Sequence, residues 1–293
     1  DVWYNSSTGL LKMYASAGSW ATGGNLNTAR SDLAGAGTQT AALCIGGRTP
    51  PTVAIAETYD GSSWTEVGDL TTARNALAGF GTTTAAIAAG GRPPTTAATE
   101  SWNGASWTEV ADLNTARFAV NISGAGISTS GLVTGGSSDS VESWNGASWT
   151  EAADLNTARA QGSMSGATGT AAIVVGGPGG GTGGETEIWD GSSWTEVADL
   201  NTDRYSQAQS GTTTAALIFG GDTGSVVAIA ESWDGSSWAE VGDLSVTRKD
   251  LGGGGYAPNT VSIAFGGKSP PTSLKNATEE WSYSTSIETV AFD

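Results

Sequence analysis

ESWNGASWTEVADLNTAR, residues 100–117, returns as ESWNGASWTEAADLNTAR at 142–159 and as EIWDGSSWTEVADLNTDR at 187–204. The same phrase reads ETYDGSSWTEVGDLTTAR at 57–74 and ESWDGSSWAEVGDLSVTR at 231–248, and a worn copy, GSWATGGNLNTAR, occupies 18–30. The closing arginines, Arg30, Arg74, Arg117, Arg159, Arg204 and Arg248, are spaced 44, 43, 42, 45 and 44 residues apart. After each comes a Gly-Gly pair, at 46–47, 90–91, 135–136, 176–177, 220–221 and 266–267. Self-similarity at such a period is the mark of a repeat architecture.

Each period divides into four strands. A small-residue strand such as Asn75-Ala-Leu-Ala-Gly-Phe80 meets a Gly-Thr-Thr-Thr turn, and an apolar strand, Ala85-Ala-Ile-Ala-Ala89, runs into Gly-Gly. A variable loop then leads to the Glu-Ser-Trp strand, and an Asn-Gly or Asp-Gly dipeptide turns the chain into Trp-Thr-Glu-Val. That dipeptide is a strong hairpin signal, read here as a two-residue turn with both positions at φ > 0. No 3.6-residue periodicity appears, which excludes a helical solenoid. Four short antiparallel strands per copy and six copies predict an all-β chain: a six-bladed β-propeller of four-stranded antiparallel blades. Val2-Trp-Tyr4, Leu10-Leu-Lys-Met-Tyr14 and Glu279-Glu-Trp-Ser-Tyr283 supply further strands. The N- and C-terminal strands are expected to meet in one blade and latch the ring. The division expected is 1–20, a hairpin contributing to closure or linking to a preceding region, and 21–293, the propeller.

Gly-Gly after an apolar strand, then an aromatic, a Trp about five residues on and an Arg about ten beyond it resembles the kelch repeat, over roughly residues 14–283. The match is imperfect, since kelch repeats usually carry bulkier residues between Gly-Gly and the aromatic. The resemblance implies a propeller of the same kind.

Composition narrows the function. The net charge is −17, with 12 Lys plus Arg and no His, so a phosphate backbone or an anionic membrane would be repelled. No apolar run reaches the roughly 18 residues that span a bilayer. The 12 Trp argue against disorder despite 44 Gly. The single cysteine, Cys44, lies in an apolar run and reads as a small buried hydrophobe. With no His and one Cys, zinc and copper lose their usual ligands, and no cofactor is expected; surface calcium on loop carboxylates is the one metal chemistry left open. Kelch-type oxidases and sugar-acid isomerases need histidines that this chain does not have. The Gly-rich run 176–184 lacks the Lys and helix of a phosphate loop.

Residues that recur in every copy read as architecture. The tryptophans Trp64, Trp107, Trp149, Trp194 and Trp238, and the partners Trp102, Trp144, Trp189 and Trp233, are expected between blades rather than as sugar-stacking platforms. Each closing Arg is expected in a ladder with nearby carboxylates or carbonyls, as Arg117 with Glu109 and Asp112, or Arg74 with Glu66 and Asp69. Acid–base chemistry for glycoside hydrolysis needs a pair that breaks the symmetry, and the recurring Glu and Asp do not; no catalytic residue is assigned. What varies is the loop after Gly-Gly. Arg48-Thr-Pro50-Pro51, Arg92-Pro93-Pro94 and Lys268-Ser-Pro-Pro form a basic, proline-stiffened sector in blades six, one and two, the candidate ligand site on an acidic molecule.

The opening, Asp1-Val-Trp-Tyr-Asn-Ser-Ser-Thr-Gly-Leu-Leu-Lys-Met-Tyr14, is similar to hairpins of bacteriophage tail-fibre and virion-surface proteins, and the Asn-Gly-Ala-Ser-Trp-Thr-Glu cores resemble structural proteins of marine phages. The resemblance implies a non-enzymatic propeller on a virion surface or in an extracellular setting, a tail-fibre or capsid decoration that takes part in host attachment. The partners expected are a host-cell surface glycan or protein, or other virion proteins, with no nucleic acid and no membrane insertion. A homo-oligomer could form through a fibre or capsid. Purely structural assembly, on a virion or a bacterial surface, and a glycan-active enzyme are the competing readings.

Overall fold

The Asp-Gly and Asn-Gly dipeptides do join the third and fourth strands, by a different turn from the one expected. The loop has four residues: Tyr59 pairs Trp64 across it, and Trp102 pairs Trp107. Asp60 Oδ1 accepts the backbone N–H groups of Ser62 and Ser63, and Asn103 Oδ1 those of Ala105 and Ser106. Only the glycine is left-handed, with φ 92° at Gly61 and Gly104. The acceptor side chain closes the loop in place of a second left-handed residue.

The computed structural model describes residues 2–5, 7, 10–118, 123–136, 138–177, 183–254 and 259–289. There is no helix among them. Blade 1 is Ala34–Thr38, Ala41–Ile45, Ala56–Tyr59 and Trp64–Val67, counted from the ring axis outward. Blades 2 to 5 repeat this order, with innermost strands Ala78–Gly81, Ser123–Ile127, Ser163–Thr168 and Ala208–Thr212 and outermost strands Trp107–Glu109, Trp149–Glu151, Trp194–Val197 and Trp238–Val241. The inner strand starts later than its composition suggests. In blade 2 it begins at Ala78, because Ala76 is left-handed (φ 53°) and turns the chain onto the axis. Small residues there are a packing requirement: a Cβ on Gly35 would lie 2.2 Å from Gly253 O of the neighbouring blade. The axial space is only about 60 Å³, room for water and little more.

Blade 6 is built from both ends of the chain. Gly252–Gly253, Val261–Phe265 and Thr278–Thr289 are its first three strands, and Leu10–Thr22 is its fourth, with Val2–Asn5 paired beyond it. One strand therefore runs through residue 20. Trp20 pairs Trp281 as Trp107 pairs Trp102. Where the other blades turn, these two strands run on, pairing through Ala15↔Ser286 to Lys12↔Thr289. The ribbon so formed leaves the ring on the face of the Asx turns. Gly255 and Asp1 lie outside the described residues.

The tryptophans lie between blades. Trp102 and Trp107 of blade 2 pack with Ala36, Leu43 and Ile45 of blade 1, their rings 5.3 Å apart. Trp149, Trp194, Trp238 and Trp64 repeat the arrangement, all at most 6% exposed. The first indole of a pair donates to its own blade's inner turn, as Trp102 Nε1 does to Thr83 O at 2.9 Å. The second reaches back one blade: Trp64 Nε1 donates to Thr278 Oγ1, Trp149 to Thr99 and Trp238 to Thr186.

Each closing arginine is buried and paired, and its partner differs from the carboxylates expected. Arg117 Nη2 meets Glu142 at 2.7 Å, and Arg74 meets Glu100 at 2.7 Å. Arg30–Glu57, Arg159–Glu187, Arg204–Glu231 and Arg248–Glu279 complete the set at 2.5–3.1 Å. The partner is thus the Glu of the third strand. Glu109, Asp112, Glu66 and Asp69 are exposed, and Asp112 Oδ1 accepts the Thr99 N–H instead. The reason is depth. The Arg side chain enters the blade interior, where the third-strand Glu points, while the outer-strand Glu faces water. The other Glu oxygen accepts the N–H of the residue after the Leu that precedes the arginine, as Glu142 does from Asn114 and Glu100 from Thr71, both at 2.7 Å. In four of the copies the arginine's second nitrogen donates to carbonyls, as Arg74 Nη1 does to Gly90 O and Ala98 O, whereas Arg30 Nη2 donates to Cys44 Sγ at 3.0 Å. Adjacent blades are then joined through Gly-Gly: Gly91 N donates to Arg117 O, and Gly267 N to Arg30 O across the closure.

Candidate functional site

Two left-handed glycines, φ 68° and 104° at Gly90 and Gly91, throw the chain out of the second strand onto one face of the ring. The residue that follows pairs with the residue after the closing arginine: Arg48 with Ser31, Arg92 with Asn75, Lys268 with Lys249. Two variable loops therefore lie side by side in blades 1, 2, 5 and 6, one after Gly-Gly and one after the arginine. The equivalent position in blade 5 is Asp222, and those of blades 3 and 4, Ser137 and Pro178, lie outside the described residues. Around the ring the charge runs Asp222, Lys268, Arg48 and Arg92 in blades 5, 6, 1 and 2.

These loops form two clefts that share Arg48. The first, about 530 Å³, lies between blades 6 and 1 and is bounded by Arg48, Pro50, Lys249, Lys268, Pro270 and Asp32. The second, about 670 Å³, lies between blades 1 and 2 and is bounded by Arg48, Pro50, Pro51, Thr52, Asn75, Arg92 and Pro93. Of the residues expected at the site, Arg48, Pro50, Pro51, Arg92, Pro93 and Lys268 line one cleft or both. Pro94 is exposed and lines neither. Lys249, Asp32, Asn75 and Thr52 were not anticipated. The position directly after each closing arginine (Ser31, Asn75, Phe118, Ala160, Tyr205, Lys249) varies as freely as the Gly-Gly loops, and that variation was the available signal.

The cations differ in how they are held. Lys268 Nζ lies 2.6 Å from Asp250 and Lys249 Nζ 2.5 Å from Asp222. Burial pushes the Lys249 ammonium down, but the Asp222 contact outweighs it and the net shift is upward. Burial, and the Asp32 carboxylate next to it, push Asp250 up against the pull of Lys268. Asp32 is itself held by the Ser31 hydroxyl at 2.7 Å. Arg92 donates through Nε to Asn75 Oδ1 at 3.3 Å and lies 5.0 Å from the centre of the Phe118 ring. Asn75 in turn donates to Thr52 Oγ1 at 2.5 Å. The exposed Arg48 guanidinium makes no hydrogen bond or ion pair among the described residues. The second cleft carries two guanidinium groups and no carboxylate in its lining. Such a surface can grip an oxyanion. Among the described residues no group of three or more carboxylates or thiols converges to hold a metal ion.

Six four-stranded blades around a narrow axis, latched by strands from both ends, define a β-propeller. Among solved structures, one described as the structure of YjhT is similar over 90% of this chain and 99% of that one, with a TM-score of 0.72 at 11% identity. Likeness at that identity speaks for the fold alone. No family model and no curated protein matches the sequence. The kelch and phage resemblances accordingly rest on the residues quoted for them.

Proposed function

We propose that this propeller is a non-enzymatic module of a virion surface, a tail-fibre or capsid decoration, that binds a host-surface glycan or protein through the loop face of blades 6, 1 and 2. The observation that supports it most is the pair of clefts sharing Arg48, a concave, basic sector on a chain of charge −17. The polarity of the molecule agrees. The terminal ribbon leaves on the Asx-turn face, so a ring carried on that side would turn the clefts outward. A glycan-active enzyme has less to stand on, because the recurring third-strand glutamates are engaged by the arginines. The structural-assembly reading draws on the same ribbon, whose outer strand Val2–Asn5 ends the sheet with an unpaired edge among the described strands.

The test is binding of the purified chain to intact candidate host bacteria, beside Arg48→Ala/Arg92→Ala. Saturable binding weakened by the double change supports the reading and its site. Undiminished binding rejects the site, and no binding to any host turns the reading toward assembly.

A further inference from the structure

The geometry points to a polyanionic glycan, a saccharide chain with repeating carboxylate or sulfate groups, laid across both clefts with Arg48 at its centre. This rests on the loop face being the binding face and goes beyond it in naming the chemistry and the extent of the ligand.

Three observations carry it. Lys268, Arg48 and Arg92 occupy the same position of three consecutive blades, so the ring's own rotation sets them in an arc across the face. Their commitments then differ. The lysines at one end of the arc are held by Asp250 and Asp222, and Arg92 at the other by Asn75 and Phe118, while Arg48 between them is uncommitted. A cation left unpaired in a molecule so rich in carboxylates is placed for an anion from outside. Finally, Arg48 borders both clefts, and each is within the range that holds a small ligand or one segment of a longer one. One charged group per cleft suits a chain with a regular charge repeat better than a single small anion. Thr52 adds a hydroxyl group for a sugar, and the proline walls hold the clefts open without the entropy cost of ordering flexible loops.

The experiment measures affinity of the purified chain for immobilised dextran sulfate, polygalacturonate, neutral dextran and poly-glutamate, at low and high salt. The variants are Arg48→Ala, Arg48→Lys, Arg92→Ala and Lys268→Ala, with Asp234→Asn on the opposite face as control. Unchanged melting temperatures certify the fold of each. The expected result is binding to one or both acidic polysaccharides, not to neutral dextran, weakened by salt. Arg48→Ala should cost at least about tenfold and more than Arg92→Ala or Lys268→Ala, as a charge-assisted contact shared by both clefts would. Arg48→Lys should recover only part, because an ammonium cannot make the forked contact. The dextran sulfate and polygalacturonate arms separate sulfate from carboxylate. Equal binding to neutral dextran, or preference for poly-glutamate, overturns the polyanionic-glycan class. So does failure of both acidic polysaccharides while whole-cell binding stays sensitive to Arg48→Ala, which would leave the loop-face reading intact. Whole-cell binding indifferent to every loop variant overturns both.

Discussion

At the scale of single residues, the six buried Arg–Glu pairs set the local stakes. Arg74 and Glu100 are each 1% exposed at the side chain, so neither charge is relieved by water. Glu100→Ala leaves a buried guanidinium with only carbonyls and should cost about 3–5 kcal/mol in urea unfolding; Glu109→Ala, on the exposed outer strand, should change stability by less than about 0.5 kcal/mol. That the Arg is architectural was legible from its sixfold recurrence. Its partner was misread because the nearer carboxylates precede it in sequence, whereas Glu100 lies 26 residues beyond Arg74. A discriminating sign was present: the worn copy before Arg30 has Thr22 and Asn25 in place of those carboxylates, yet Glu57 follows it as Glu100 follows Arg74. A second group of carboxylates acts in the turns. Asp60, Asp190 and Asp234 are held down to about 2, first by the N–H of Ser63, Ser193 and Ser237 and then by the neighbouring Ser62, Ser192 and Ser236. An unfolded aspartate titrates near 3.9. The folded value is the lower one, so the stability these turns contribute is complete above about pH 4 and is lost as pH falls toward 2. Carbon-detected NMR titration should show three aspartates with midpoints near 2. Asp234→Asn, which copies Asn103, should keep the amide hydrogen bonds and lose that acid sensitivity.

At the scale of the strand, a hydrogen bond alternates around the ring. The third strand begins with Thr in blades 2, 4 and 6 (Thr99, Thr186, Thr278), and each accepts an indole N–H from the next blade. Blade 1 has Ala56 there, and the facing Trp107 Nε1 is buried with no partner. Blade 3 has Val141, and Trp194 turns to Ala153 O at 3.0 Å. Ala56→Thr should therefore give Trp107 its missing acceptor and stabilise the protein by about 0.5–1.5 kcal/mol. Ala230→Thr should not, because Trp20 of the following blade already donates to Gly242 O. Equal melting temperatures for the two variants would refute the account. The strands themselves were legible because Gly-Gly, the Asx dipeptides and the apolar runs are local signals. The alternation was in plain view as letters, but its meaning needed the knowledge that a blade's second tryptophan touches the blade before it.

For the whole molecule, stability depends on closing a ring whose blades repel one another through a net charge of −17. Blades 1 to 5 each take all four strands from one stretch of chain. Blade 6 is the exception. Without Leu10–Thr22, the Thr278–Thr289 strand would have an open edge, and Trp281, now fully buried, would lose the tilted ring of Trp20, 5.4 Å away. Phe219 of blade 5 would lose the same Trp20, an edge contact at 4.9 Å. That both ends of the chain meet in one blade was legible from the missing fourth strand after Glu279 and the spare Trp20 phrase near the start; the ribbon beyond it was not, since it carries no turn signal to mark where the blade ends. Deleting residues 1–22 should leave a ring that self-associates through the exposed edge, seen as higher-order species in size exclusion. A synthetic peptide of residues 10–22 added in trans should restore the monomer profile, and the same peptide with Trp20→Ala should restore it poorly. If the truncated chain stays monomeric with an unchanged melting temperature, the latch is not what holds the ring. The inter-blade bonds from Gly-Gly to arginine, Gly267 N to Arg30 O among them, would then be sufficient alone.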